Sequence, residues 1–308
     1  MRRAQAEPGE EGRLIVRYRW AAILLSVPLI AGCGAGGSAS PSESAQSTSP
    51  SSVPATQAPT SPTTTASAET DLLLVAVGDS IPFNSPDDCP GCTAFVERYG
   101  DAVAAATGQS VQVRNLSEHN NLQVDGLLRE LASDQVRIDT LSNADVIVVG
   151  IAHNDVPMNR DDDSCDGQFS ETPDWSKYTD ACIAAEVEKF TPKYASVYQQ
   201  IAELRAGKPT VLRTINRYND WIGWPGHDLP PEGIAATAAV VSAWNEMICS
   251  SAEANGFVCA DISTRFNGGT GTDPAGDLLA ADYTHPSEQG NEVIAQVLVE
   301  LGAAPLAP

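Results

Sequence analysis

The chain has 308 residues, with 40 Asp and Glu against 18 Lys and Arg, a formal charge of −22, and seven cysteines. So acidic a surface repels polyphosphates, which argues against nucleic acid as a partner, and it repels anionic lipid headgroups as well.

Residues 20–29, WAAILLSVPL, form an apolar run too short for a comfortable membrane span. Arg13, Arg17 and Arg19 precede it, and Ile-Ala-Gly-Cys follows, ending at Cys33. Basic, apolar and then small residues is the order of a secretory signal. Small residues directly before a cysteine resemble a bacterial lipobox, in which that cysteine is lipidated. Residues 1–33 are therefore expected to be a lipoprotein signal peptide with its lipid on Cys33, an ordinary signal or a short anchor being the competing reading. The acidic EPGEEG stretch ahead of the arginines is unusual in a signal and points to a start further along, near Val16. Without residues 1–33 the charge becomes −24, and a lipid tether suits so acidic a domain beside an anionic membrane.

Residues 34–70 are Ser, Thr, Pro, Ala and Gly with almost no large apolar side chain. Such a segment cannot bury enough surface to offset its ordering entropy, so it is expected to be a disordered linker. As a flexible coil it would span about 35 Å. Residues 71–308 then make one domain, large enough for a single substantial core.

Within the domain, apolar runs alternate with helical patterns. Candidate strands are Leu72–Val77, Val111–Leu116, Val146–Ile151, Thr210–Ile215 and Phe257–Ile262, near-continuously apolar as for strands covered on both faces. Helical segments are expected at Thr93–Thr107, Asn121–Leu131, Ala181–Arg205, Ala235–Asn255 and Ser287–Leu301. This alternation predicts an α/β class, a three-layer α/β/α sandwich on a flavodoxin-like five-stranded parallel sheet of order 2-1-3-4-5. Ligands would then sit beyond the strand C-termini, where the order reverses between strands one and three.

With Cys33 assigned to lipid, six cysteines remain, an even number in an exported chain. Pairing between sequence neighbours predicts disulfides Cys89–Cys92, Cys165–Cys182 and Cys249–Cys259. Cys89-Pro-Gly-Cys92 also has redox-motif spacing, but no thioredoxin-like strand precedes it, and Pro-Gly suits a structural clip. Zinc is disfavoured because no second CxxC or paired histidines accompany it. Neither a metal nor a cofactor is expected.

Three polar stations fall at the sheet edge where ligands are expected: Gly78-Asp79-Ser80 after the first strand, Ala152-His153-Asn154-Asp155 after the third, and Asp282-Tyr283-Thr284-His285-Pro286 before the last helix. A serine hydroxyl is a weak nucleophile until a base takes its proton. Imidazole can take that proton and return it to the leaving group. A carboxylate three residues before the histidine can hold the other ring N–H. Asn154 offers an amide donor for a developing oxyanion.

In these stations the chain resembles the GDSL-type, or SGNH, hydrolases, whose blocks carry Ser, Gly, Asn and His. GDS matches the first block, Asn154-Asp155 the third and DYTHP the last, over about residues 71–302. The resemblance implies the α/β/α fold, Ser80 as nucleophile, His285 as base, Asp282 as its orienter, and Ser80, Asn120 and Asn154 as oxyanion donors. Two positions depart from the family. Asn120 stands where the second block, Asn115 to Asn120, ordinarily has glycine, and Ala152 stands where the third often does. Asn120 keeps a backbone N–H and tolerates left-handed geometry, so the donor is expected to persist with altered crowding.

His119 and His153 flank the oxyanion residues without an expected catalytic role. His153, Trp221 and Trp224 are candidates for a substrate cleft; the tryptophans read equally as a sugar-stacking wall or as packing of their loop, which also holds His227. Asp161-Asp162-Asp163-Ser164-Cys165-Asp166 begins like a calcium loop. A full register from Asp162 would need Glu where Pro173 stands, so a solvated acidic loop pinned by Cys165 is expected instead. No G-x-S-x-G, P-loop or H-E-x-x-H motif occurs. The expectation is a lipid-anchored, monomeric serine esterase at the outer face of the membrane, acting on a carboxylic ester. Acyl groups on envelope glycans, lipid esters, and a non-catalytic binding role on the same scaffold remain open.

Overall fold

The computed structural model describes residues 71–307 apart from Asp161, Gln168, Phe169, Glu171 and residues 225–227. The expected signal, the linker, Cys33 and His227 lie outside the described residues.

Five strands, β1 (Leu72–Gly78), β2 (Val111–Asn115), β3 (Val146–Gly150), β4 (Val211–Ile215) and β5 (Val258–Ala260), pair in parallel in the order β2-β1-β3-β4-β5. This is the expected order, with its reversal between β1 and β3. Alternate residues of the central strands face opposite layers. Val75, Val77, Ile147 and Val149 pack on helices α3 (Val124–Ser133), α4 (Gln135–Asn143), α5 (Asp180–Leu204) and α6 (Pro231–Glu253). Leu72, Leu74, Ala76, Val146 and Val148 pack on α2 (Phe95–Thr107) and α8 (Glu288–Glu300). Burial on both faces is why these strands read as continuous apolar runs. β2 departs from that pattern: its residues alternate between half-buried and exposed, as suits an edge strand.

Three helices were not expected. The four-residue α1 (Ser80–Phe83) is nucleated by Asp79, whose side chain accepts the Ile81 N–H. Asp134 similarly caps α4 through the N–H groups of Val136 and Arg137, while apolar periodicity there is poor, with Val136 exposed and Arg137 buried. The third, α7 (Ser263–Asn267), is a single turn after β5. The three expected disulfides all form, Cys89–Cys92, Cys165–Cys182 and Cys249–Cys259. Among the described residues, no helix is long and apolar enough to cross a membrane.

Because every strand runs the same way, all C-terminal strand ends share one edge and all N-terminal ends share the opposite one. Gly78 and Gly150 are register partners where β1 and β3 end, and Gly78 adopts φ +153°. A side chain at Gly78 would overlap the Gly150 carbonyl, so glycine is required for the two strand ends to approach.

Candidate active site

Ser80 opens α1 at the C-terminal end of β1 and is half-buried. Asp79, 1 % exposed, fixes the residues around it. Its Oδ1 accepts the Ile81 N–H at 3.0 Å, and its Oδ2 accepts the N–H groups of Ala152 and His153 at 3.0 and 2.9 Å. One carboxylate therefore ties the turn carrying Ser80 to the loop carrying Asn154. Sequence reasoning missed this role, since a buried Asp after Gly reads as an ordinary turn former.

The second block is held to the same edge: Glu118 N–H donates to Gly78 O at 2.9 Å, and Asn115 Nδ2 donates to Pro82 O at 2.6 Å. Asn120 is exposed, and its side chain turns away to donate to Glu118 Oε2. The left-handed residue is Asn121, with φ 59°, one position beyond the one expected. Asn154 is half-buried and donates one amide hydrogen to Leu122 O at 3.0 Å, leaving its second as a donor.

His285 and Asp282 form a tight pair across one turn. His285 Nδ1 stands 2.5 Å from Asp282 Oδ2, while Asp282 Oδ1 accepts the N–H groups of Thr284 and His285 at 3.0 Å each. Tyr218, buried, donates to Thr284 O at 2.6 Å and so anchors this turn to the loop after β4. The opposite ring nitrogen, Nε2, is buried with no hydrogen-bond partner. Burial alone would lower the His285 pKa, but the hydrogen bond and charge of Asp282, with the charges of Asp88 and Asp79, raise it above its ordinary value. Burial likewise opposes ionisation of Asp282. His285 and the two N–H groups outweigh that and hold its carboxyl below the usual range.

A chain of rings links this pair to α1. Phe83 stacks on His119 at 5.7 Å between centroids, and His119 lies 5.6 Å from His285. Asn291 on α8 completes the junction by donating to Asn84 Oδ1, just past α1, at 3.0 Å. The three stations of the sequence thus meet at one edge of the sheet.

Beside them lies a cavity of about 230 Å³ whose wall includes His153, Asn154, Asp220, Trp221, Trp224 and Tyr283. Trp221 is 7 % exposed, donates from Nε1 to Asn159 Oδ1 at 2.8 Å, and meets Trp175 edge-on. It therefore packs its loop while bordering the cavity, the packing reading being the one of the two that its contacts favour. Trp224 is half-buried and also borders the cavity. His153 is buried and paired through Nε2 with Asp220 Oδ2 at 3.0 Å, and Arg217 donates to the other Asp220 oxygen at 2.8 Å. Burial works against the Asp220 charge, yet these two partners drive its pKa far below the ordinary value. Neither Asp220 nor Arg217 was singled out from sequence, because a lone Arg-x-x-Asp carries no signal until a histidine 67 residues from the Asp meets it.

In the acidic loop after β3, Asp163 and Asp166 are engaged by nearby groups. Asp163 accepts Cys165 N–H at 2.8 Å and the Tyr178 hydroxyl, while Asp166 accepts Asp174 N–H at 2.8 Å and pairs with Lys177 at 2.5 Å. The loop is thus pinned as expected, but Asp163 is buried in it rather than solvated.

The family model for GDSL-like lipases and acylhydrolases matches residues 76–293, a span that begins in β1 and closes in α8. The chain belongs to this family. Solved structures agree on the fold. A lipase from a goat rumen metagenome superposes with a TM-score of 0.59 at 19% identity, covering 76% of this chain and 99% of its own. Phospholipase A1 from Streptomyces albidoflavus superposes with a TM-score of 0.50 at 18% identity, covering 75% and 99%. A search of curated protein sequences finds no significant match. In this GDSL-like hydrolase, the segments carrying Ser80, Asn154 and the Asp282–His285 pair lie on the edge described above.

Proposed function

We propose that this GDSL-like hydrolase is an exported serine esterase in which Ser80 is the nucleophile, His285 the base and Asp282 its orienter. The observation that carries the reading is the His285 ring. One nitrogen is held by Asp282 at 2.5 Å, and the other is buried and unpartnered, on a ring joined through His119 to Phe83 of the helix that Ser80 opens.

In the forward reaction Ser80 Oγ attacks the ester carbonyl carbon while His285 Nε2 takes the hydroxyl proton. Negative charge collects on the carbonyl oxygen, where the Ser80 and Asn120 N–H groups and the free Asn154 amide hydrogen are donors. The carbonyl re-forms, the alcohol departs with the proton from His285, and an acyl group remains on Ser80. Water then attacks that acyl group, again giving its proton to His285, and Ser80 is regenerated as the acid leaves.

The adjoining cavity, about 230 Å³, falls below the roughly 300–1,000 Å³ typical of pockets that enclose drug-sized ligands. Its wall mixes indole rings with Asn154 and Asp220. Both features favour short acyl groups on a polar alcohol, such as acetyl groups on envelope glycans, over long-chain lipids. Export and anchoring through Cys33 follow from the N-terminal pattern, and three disulfides in one domain fit an oxidising compartment.

The test is fluorophosphonate labelling with peptide mapping, together with hydrolysis of p-nitrophenyl esters of increasing chain length by wild type and Ser80→Ala. Labelling at Ser80, loss of turnover in the variant and a preference for acetate are expected. Equal turnover by both proteins removes the nucleophile assignment. A rate that climbs with chain length removes the short-acyl reading and favours lipid esters. Ligand binding without labelling or turnover makes this a binding protein on a hydrolase scaffold.

A further inference from the structure

Asp88, His119 and His285 come from three separate segments, yet their ligand atoms lie within 4.8 Å of one another. Asp88 Oδ2 is 2.9 Å from His119 Nε2 and 3.5 Å from His285 Nδ1. Donors about 2.0–2.1 Å from a tetrahedral zinc ion stand about 3.3 Å apart, so these separations already bracket those of a coordination shell. Asp88 Oδ2 is itself buried without a hydrogen bond to satisfy it.

The cluster is also held in place. The Asp88 and Cys89 N–H groups both donate to Ser85 O, and the Cys89–Cys92 disulfide closes the turn that follows. Phe83 stacks on the His119 ring. Two imidazoles and one carboxylate form the ligand set of open, borderline-soft metal sites, which leave a fourth position to solvent. Asp282, at the same His285 ring, adds a further negative charge beside the site.

We propose that Asp88, His119 and His285 bind a divalent transition-metal ion of the Zn²⁺ class, and that its binding switches hydrolysis off. A metal on His285 Nδ1 takes the place of the proton held toward Asp282, and the ring's proton then sits on Nε2, which can no longer accept one from Ser80. The binding half of the proposal stands on the cluster alone; the inhibitory half rests on His285 being the base.

The experiment titrates ZnCl₂ into the full-length chain by calorimetry, using the Ser80→Ala background so that turnover plays no part, and compares it with the same chain carrying His119→Ala or Asp88→Asn. In parallel, p-nitrophenyl acetate hydrolysis by otherwise wild-type protein and by His119→Ala is followed against Zn²⁺ and then EDTA. One site is expected, weakened at least tenfold by either ligand substitution, with EDTA-reversible inhibition that His119→Ala escapes when each protein is compared with its own metal-free rate. His119 is exposed, so its removal does not threaten folding. No binding, or binding that neither substitution weakens, overturns the site. Binding at this site with hydrolysis unaffected overturns the inhibitory step. Binding that depends on His119 in a chain with no esterase activity supports the site and instead removes the proposed function.

Discussion

Asp79→Ala is expected to cost more than any single surface change, because one buried carboxylate accepts three backbone N–H groups. The Ile81 N–H is a helix-cap donor, worth about 1 kcal/mol when its partner is removed. The Ala152 and His153 N–H groups would be stranded in the interior, at about 1–3 kcal/mol each. The total is about 3–7 kcal/mol, a large part of the 5–15 kcal/mol by which domains are typically stable. For a domain of this size each kcal/mol lowers Tm by about 2–4 °C. Asp79→Asn keeps one acceptor but turns an NH₂ toward the remaining N–H donors, so an intermediate loss is expected. Urea unfolding with an unchanged m-value measures both variants. Hydrolysis of p-nitrophenyl acetate, assayed well below each Tm, should fall further than the folded fraction does, since the same carboxylate sets the loop that carries Asn154. A loss under about 1 kcal/mol for Asp79→Ala would refute the view that these three bonds hold the site together.

Asp282→Asn should lower kcat by about 10²–10⁴, the usual worth of a positioned general base. His285 must be unprotonated to act, and Asp282 raises its pKa; the acid limb of kcat/KM therefore lies above the ordinary histidine value in wild type and moves to lower pH in the variant. A limb that stays in place would separate Asp282 from His285. Asp155, fully buried with Val124 N–H and the Tyr194 hydroxyl as donors, has its pKa pushed by burial up to about 7. An acid raised on folding favours the fold while protonated, so wild type should lose about 4 kcal/mol relative to Asp155→Asn as pH rises from about 4 through 7. Urea titrations at the two ends of that range check it, and a pH-independent difference between the proteins would contradict it. Gly78→Ala should destabilise by about 3 kcal/mol or more, because the new methyl group meets the Gly150 carbonyl at a backbone angle that L-residues avoid. A thermal melt within 2 °C of wild type, less than about 1 kcal/mol, would be the contrary result.

The strand order was legible because β1 and β3 are packed on both sides, which writes burial into the sequence as unbroken apolar runs. The Asp282–His285 pair was legible because three residues is one turn, so its geometry is local. Disulfides between neighbours were legible for the same reason. Asp79 escaped notice because its acceptors' partners lie more than 70 residues away, and Asp220 because its meaning depends on His153. Helix α4 hid because its start is set by the Asp134 side chain rather than by an apolar stripe. Trp221 could not be assigned from its neighbours, since whether an indole faces solvent or a wall depends on Trp175 and Asn159 from other segments.

The seven residues of β1 carry the chain from Leu72, at one rim of the sheet, to Gly78, at the other, about 20 Å away. The described chain thus enters the sheet at residue 71, on the rim opposite the one where Ser80 opens α1. A fusion joined at residue 71 would therefore start from the rim opposite Ser80.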